Sequence, residues 1–428
     1  MSGFKGSPAR GLTGATLGFF VGFAAVSLFG PLAHRFRDAM ELTPVMLAFL
    51  VATPALTGSL LRIPFGAWVD TTGGRRPFLI LLVLALVGMV GLYGVTLTLY
   101  PDRLVASYYP LLLLLAGLSG CGIATFSVGI GQVSYWFPQR RQGVALGTYA
   151  GLGNIAPGLF AFLLPISLVT WGLAGSYLAW IVLLTAGTVG YGLFGLNAPY
   201  FQLRKLGLED GEARRRALNA GQAIFPAGGV ADSLASAARL WQTWALVAIY
   251  FMTFGGFIAL TAWFPTYWMS YFGVGAGTAG ILTAVYSIGA SVIRVPGGTL
   301  SDRFGGENTA IGSLLVTLAG AVPLMLSHRY GLSIAGAVLM AIGMGVGNAA
   351  VFKLVPQVAR DAVGGAAGWV GGLGAFGGFA IPPLLGAFVS ARGDAGYASG
   401  FVVFVGLAIV CLLFAYRLKR GHAAVAVA

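Results

Sequence analysis

The sequence predicts an all-α membrane protein of twelve transmembrane helices in two six-helix, pseudo-symmetric bundles. Three observations carry this. Of the 428 residues, 57% are hydrophobic and only 9% charged, against about a quarter charged in soluble domains. So apolar a chain has too little polar surface to cover a globule. Twelve apolar stretches approach the roughly 20 residues that cross a bilayer. One long polar connection divides them six and six, and short motifs recur across it in the same order.

In order, the spans are expected near 12–32, 43–69, 77–100, 108–137, 144–166 and 172–195, then 241–271, 277–300, 308–328, 331–357, 363–390 and 398–418. This gives an N-terminal bundle over 1–197, a middle loop over 198–240 and a C-terminal bundle over 241–428. With the N-terminus in the cytoplasm, seventeen of the 25 Lys and Arg residues fall on the cytoplasmic side and five outside. Positive charge collects on the cytoplasmic side of membrane proteins, so both termini are expected there, in a multi-pass protein of the inner membrane. The net charge of +13 does not point to nucleic acid, because the cations are scattered between apolar segments. The middle loop reads as a linker with surface helices and asks for no partner.

The 67 glycines show no collagen-like period and are expected to let helices approach closely. Cys121 and Cys411 both fall in apolar segments, and His34, His328 and His422 lie outside the spans. No disulfide framework, metal site or cofactor is expected from them. An enzyme would need a nucleophile, a metal cluster or an acid–base pair in the membrane, and none is evident.

Two stretches are near copies. Arg62-Ile-Pro-Phe-Gly66 runs on to Asp70 and Gly73-Gly74, and Arg294-Val-Pro-Gly-Gly298 runs on to Asp302 and Gly305-Gly306. Each arginine sits inside an apolar segment, about 12 Å from the loop that holds its Asp. An intramembrane arginine is costly and reads as functional when its position is repeated. All twelve acids fall in loops or at span ends, so neither arginine has a counter-ion built into the membrane. Two such charges ~6 Å apart at an effective dielectric of ~20 repel by roughly 3 kcal/mol. A bound anion removes that penalty. Guanidinium is a planar fork of donors, which suits a planar oxyanion. Two repeated halves with a site between them near the midplane is a transporter arrangement.

Asp70-Thr-Thr-Gly-Gly-Arg-Arg76 and Asp302-Arg-Phe-Gly-Gly306 resemble the loop motif of the major facilitator superfamily. Gly151-Leu-Gly-Asn-Ile-Ala-Pro-Gly158 and Gly371-Gly-Leu-Gly-Ala-Phe-Gly-Gly-Phe-Ala-Ile-Pro382 resemble the paired glycine signatures of its nitrate/nitrite porter family. Gly345-Val-Gly-Asn-Ala-Ala-Val-Phe-Lys-Leu-Val-Pro356 and the two Arg-x-Pro helices are similar to that family as well. The resemblance implies that Arg62 and Arg294 grip the substrate, flanked by Phe126 and Phe352, with Asn154 as the signature amide. Gly151, Gly153 and Gly374 belong to the same signatures, for which tight packing is the plainer role. The sequence departs from the family at Ala156-Pro157, and in the seventh span, where the polar aromatic sought near 257–261 is replaced by Leu260.

Asp70 and Asp302 are expected to gate the cytoplasmic face, pairing with loop arginines such as Arg75, Arg76 and Arg303 or with helix N-termini. Lys353 either snorkels to the surface or lines the anion's entry path. The expected function is secondary transport of nitrate and nitrite, most simply their exchange by a monomer. Proton-coupled nitrate uptake and carriage of another small anion are the alternatives.

Overall fold

The computed structural model describes residues 4–226, 230–359 and 363–427. Arg360 and Asp361, counted above among the loop charges, lie outside the described residues, as do the side chains of Arg140 and His422. Among the described residues, 11 helical runs are long and apolar enough to cross a membrane. They begin with Pro8–Met40, Pro44–Thr72, Arg75–Leu99 and Ala106–Trp136 (spans 1 to 4). Ala145–Phe194 is twice the usual length and contains spans 5 and 6. The two are joined at Gly172, whose φ of +68° breaks the helix in a conformation that L residues rarely adopt. Trp241–Phe272, Ala276–Phe304, Gly306–Leu326, Tyr330–Val355, Gly365–Arg392 and Ala395–Arg420 are spans 7 to 12. The total is therefore the expected twelve, with boundaries close to those read from the apolar runs.

Six spans are interrupted near mid-length. Span 1 tightens into a 3-10 turn at Ala24–Ser27 and span 4 at Cys121–Ala124. Span 7 widens into a π turn at Phe251–Gly255. Spans 2, 5 and 11 break at Leu61, Ile155 and Phe376. Interruptions of this kind free backbone groups and re-aim side chains, and they are tolerated in a membrane where the backbone is enclosed by protein. Arg62 is the first residue after one of these breaks.

The face that carries residue 4 also carries the middle loop. The main chain of Lys5 both donates to and accepts from the Gln202 carboxamide, at 2.9 and 2.8 Å. Helices Pro199–Lys205 and Asp210–Asn219 pack on this N-terminal face, with Phe201 edge-on to Tyr135 of span 4 at 4.9 Å. Helix Val230–Ala238 is instead fastened to span 11. There Trp369 Nε1 donates to the Leu234 carbonyl, and the Gly365 amide donates to Ser233 Oγ, both at 3.0 Å. The loop thus carries surface helices, as expected, and these are packed against both bundles. Its apolar spacing was too weak to announce this.

Toward the opposite face the bundles meet through small residues. Gly30 of span 1 lies against the Ala262 carbonyl of span 7, and Gly386 of span 11 against Ala48 of span 2. Phe23, Phe254, Phe257 and Ile258 close this side and are essentially inaccessible. Arg294 and Phe352, by contrast, are partly exposed.

Candidate anion-binding site

Arg62 on span 2 is 1% exposed. Its Nε donates to the Gly58 carbonyl one turn earlier (3.1 Å). Its Nη1 donates to the Gly371 carbonyl of span 11, in the other bundle (3.2 Å). Its Nη2 is buried without a partner, as is Nη1 of Arg294 on span 8. Among the described residues no carboxylate pairs with either arginine; the four ion pairs all lie elsewhere.

Aromatic faces stand in for part of the missing negative charge. The Arg62 guanidinium carbon lies 4.8 Å from the Phe126 ring centroid and 5.2 Å from that of Phe254. Arg294 lies 5.9 Å from both Phe254 and Phe352. Phe254 thus touches both cations. The quadrupole of a ring attracts a cation by about 0.5–2 kcal/mol, which falls well short of a full counter-charge in a desolvated site. Tyr250, one turn before Phe254, stacks on it at 4.8 Å and stands edge-on to Phe352 at 5.1 Å. Its hydroxyl is buried within electrostatic reach of both guanidiniums, outside strict hydrogen-bond geometry. The assembly is a positively charged, aromatic-walled centre with three unpartnered donor groups. It has the composition for gripping one small oxyanion.

The chain matches the Major Facilitator Superfamily model over residues 15–278 and 246–427. It is 33% identical over 392 residues to a protein of Thermus thermophilus named "Probable nitrate/nitrite antiporter NarK1", across 86% of this chain and 83% of that one. The chain belongs to the nitrate/nitrite porter family of the major facilitator superfamily. A similar protein of Staphylococcus haemolyticus, named "Probable nitrate transporter NarT", is 30% identical over 381 residues, covering 89% of each chain. Among solved structures, this porter resembles the xylose transporter XylE from E. coli in a partially occluded inward open conformation. The TM-score is 0.71 at 14% identity, with 96% and 97% of the chains covered. A bacterial homolog of the lysosomal transporter Spinster follows at a TM-score of 0.67 and 16% identity, covering 97% and 98%. At such identities these two structures speak for the fold alone.

The porter's structure brings Arg62, Arg294, Phe126 and Phe352 together, as the resemblance implies. Asn154 is 2% exposed and its Oδ1 has no partner, while its main-chain carbonyl accepts from Ser291 of span 8 at 3.0 Å. The signature glycines divide. A Cβ at Gly153 would stand 1.9 Å from Phe19, and one at Gly374 would stand 2.6 Å from the Tyr250 ring. Both act by admitting aromatic neighbours of the site. Gly151 has open space beside it. Sequence reasoning missed Tyr250 and Phe254. The polar aromatic sought near 257–261 stands instead at Tyr250, and the four-residue spacing Tyr250–Phe254 was the available signal, because it puts both on one helix face.

The aspartates are held differently from the expectation. Asp70 accepts from the Tyr135 hydroxyl of span 4 at 2.6 Å, and Asp302 pairs with Lys353 of span 10. Tyr135 and Lys353 are equivalent under the repeat that carries Pro138 onto Pro356. Among the described residues, each aspartate is therefore tied to a partner in its own bundle. Arg75 turns to the Gly192 carbonyl near the end of span 6 (2.6 Å), where a cation suits the helix dipole. Arg76 lies over Trp68 at 5.8 Å and Arg303 over Phe304 at 5.3 Å. Lys353 is thus a paired residue rather than a free cation at the mouth. Its side chain is 38% exposed and that of Asp302 69%, so the pair is well screened and contributes less than about 1 kcal/mol. Asp302→Asn is expected to leave the thermal midpoint in detergent within about 2 °C of wild type. A larger fall, read by scanning fluorimetry, would mark the pair as a stability element.

Proposed function

We propose that this protein exchanges nitrate and nitrite across the cytoplasmic membrane by alternating access, working as a monomer with its N-terminal face in the cytoplasm. It is a secondary transporter, not an enzyme. The supporting observation is the pair of guanidiniums, one from each bundle, that share Phe254 and have no carboxylate partner. Arg62 and Arg294 take the anion, Phe126, Phe254 and Phe352 wall it, and Tyr250 and Asn154 supply neutral donors. The bundles 1–197 and 241–428 rock about this site, with 198–240 between them. Asp70 and Asp302 act on the cytoplasmic side through their own bundles.

Exchange is favoured over proton coupling because an empty site leaves two charges unpaired in a poorly solvated place. Either anion relieves this in either direction of movement. The names of the relatives from Thermus thermophilus and Staphylococcus haemolyticus support nitrate and nitrite as the cargo. In proteoliposomes, nitrate uptake is expected to rise strongly when nitrite is enclosed and to respond little to a pH gradient alone. Strong uptake driven by the pH gradient with no internal anion would replace exchange by proton symport.

A further inference from the structure

Span 10 carries a buried amide that the signatures and the aromatic walls leave unexplained. Asn348 is 3% exposed, and its Oδ1 has no hydrogen-bond partner. Burying an unpaired carboxamide oxygen is unfavourable, and the two ends of the amide can change places by a half-turn about χ2. Its direction is set by its neighbours. Asn348 precedes Phe352 by one turn and shares its face; Phe352 is the ring beside Tyr250 and Arg294. The remaining faces of span 10 are occupied. Gly345 packs on Ala290 and Ile293 of span 8, and Gly347 packs on Thr253 of span 7 and Ser313 of span 9.

Depth agrees with direction. Arg62, Arg294 and Asn348 lie ten residues before the helix ends at Thr72, Phe304 and Val358 on the N-terminal face. At 1.5 Å per residue all three sit about 15 Å in from that face.

We propose that Asn348 binds the transported anion and is the residue that distinguishes nitrate from nitrite. This rests on the exchange reading above and adds a discriminating group to the same site. Two guanidinium forks satisfy charge and do not count oxygens. A neutral amide at the same depth offers one more directional hydrogen bond, to the third oxygen that nitrate has and nitrite lacks. A carboxamide exchanges its acceptor and donor ends by a half-turn about χ2. The carbonyl end suits the positive field of the anion-free site, and the amino end suits the loaded one.

The test is binding of nitrate and of nitrite to the purified full-length protein, with uptake in proteoliposomes alongside. Asn348→Leu keeps the branched outline of the side chain, at somewhat greater bulk, and removes the hydrogen bond. It is expected to weaken nitrate about fivefold and nitrite by less than about twofold. Asn348→Ser, which is smaller and still polar, guards against a folding defect and is expected to shift the ratio in the same sense. Asn348→Asp provides a built-in counter-ion and is expected to weaken both anions severely. An unchanged nitrate-to-nitrite ratio in the Leu and Ser variants, whether both affinities hold or both fall together, overturns the proposal. A wild-type protein that binds neither anion overturns the exchange reading instead, and this inference with it.

Discussion

Replacing Arg62 by lysine is expected to weaken nitrate binding on the order of a hundredfold, although the charge is kept. The guanidinium makes several contacts at once. It donates to Gly58 and Gly371, lies against the faces of Phe126 and Phe254, and holds one nitrogen free. An ammonium is a compact point charge that cannot reproduce a planar fork. It would reach one of these groups and leave the others unmet at a position where Arg62 is 1% exposed. The measurement is nitrate affinity and counterflow beside the wild type. Near-normal affinity in Arg62→Lys would mean that charge alone suffices.

The second large effect is expected from a single methyl group. Gly153→Ala would place a Cβ 1.9 Å from the Phe19 ring. Phe19 has nowhere to go, since it already packs on Phe23 at 4.9 Å, Tyr149 at 5.0 Å and Phe126 at 5.3 Å. Overpacking of this kind costs about 1–3 kcal/mol. It should also displace Phe126 from Arg62, so both the thermal midpoint and the nitrate affinity are expected to fall. Gly151→Ala, two residues away with open space beside it, is the control and is expected to change neither. Equal behaviour of the two variants would refute a packing role for Gly153.

What the sequence made legible was whatever is carried by composition or repetition. Apolar run length accounts for the twelve spans, and duplication singles out Arg62 and Arg294, which both lie near one ring, Phe254. Aromatic placement was not legible. Phe254 is one of 29 phenylalanines, and only the π turn at Phe251–Gly255 brings its ring to both arginines. Asp70 and Asp302 stand out in the sequence as a repeated pair, but their described partners, Tyr135 and Lys353, are near in space and far in sequence, so residue order does not reveal them. The middle loop was undervalued for a similar reason. Its docking rests on a few side-chain to main-chain hydrogen bonds, from or to Gln202, Ser233 and Trp369, and single polar or aromatic residues of this kind form no pattern in a sequence.

The hydrogen bond from Arg62 to the Gly371 carbonyl joins residues of opposite bundles. On the proposed reading, the side chain that takes the cargo would therefore also fasten one bundle to the other. Under the proposed exchange, an anion that drew the guanidinium toward itself would weaken this tie, and an unladen carrier would keep it.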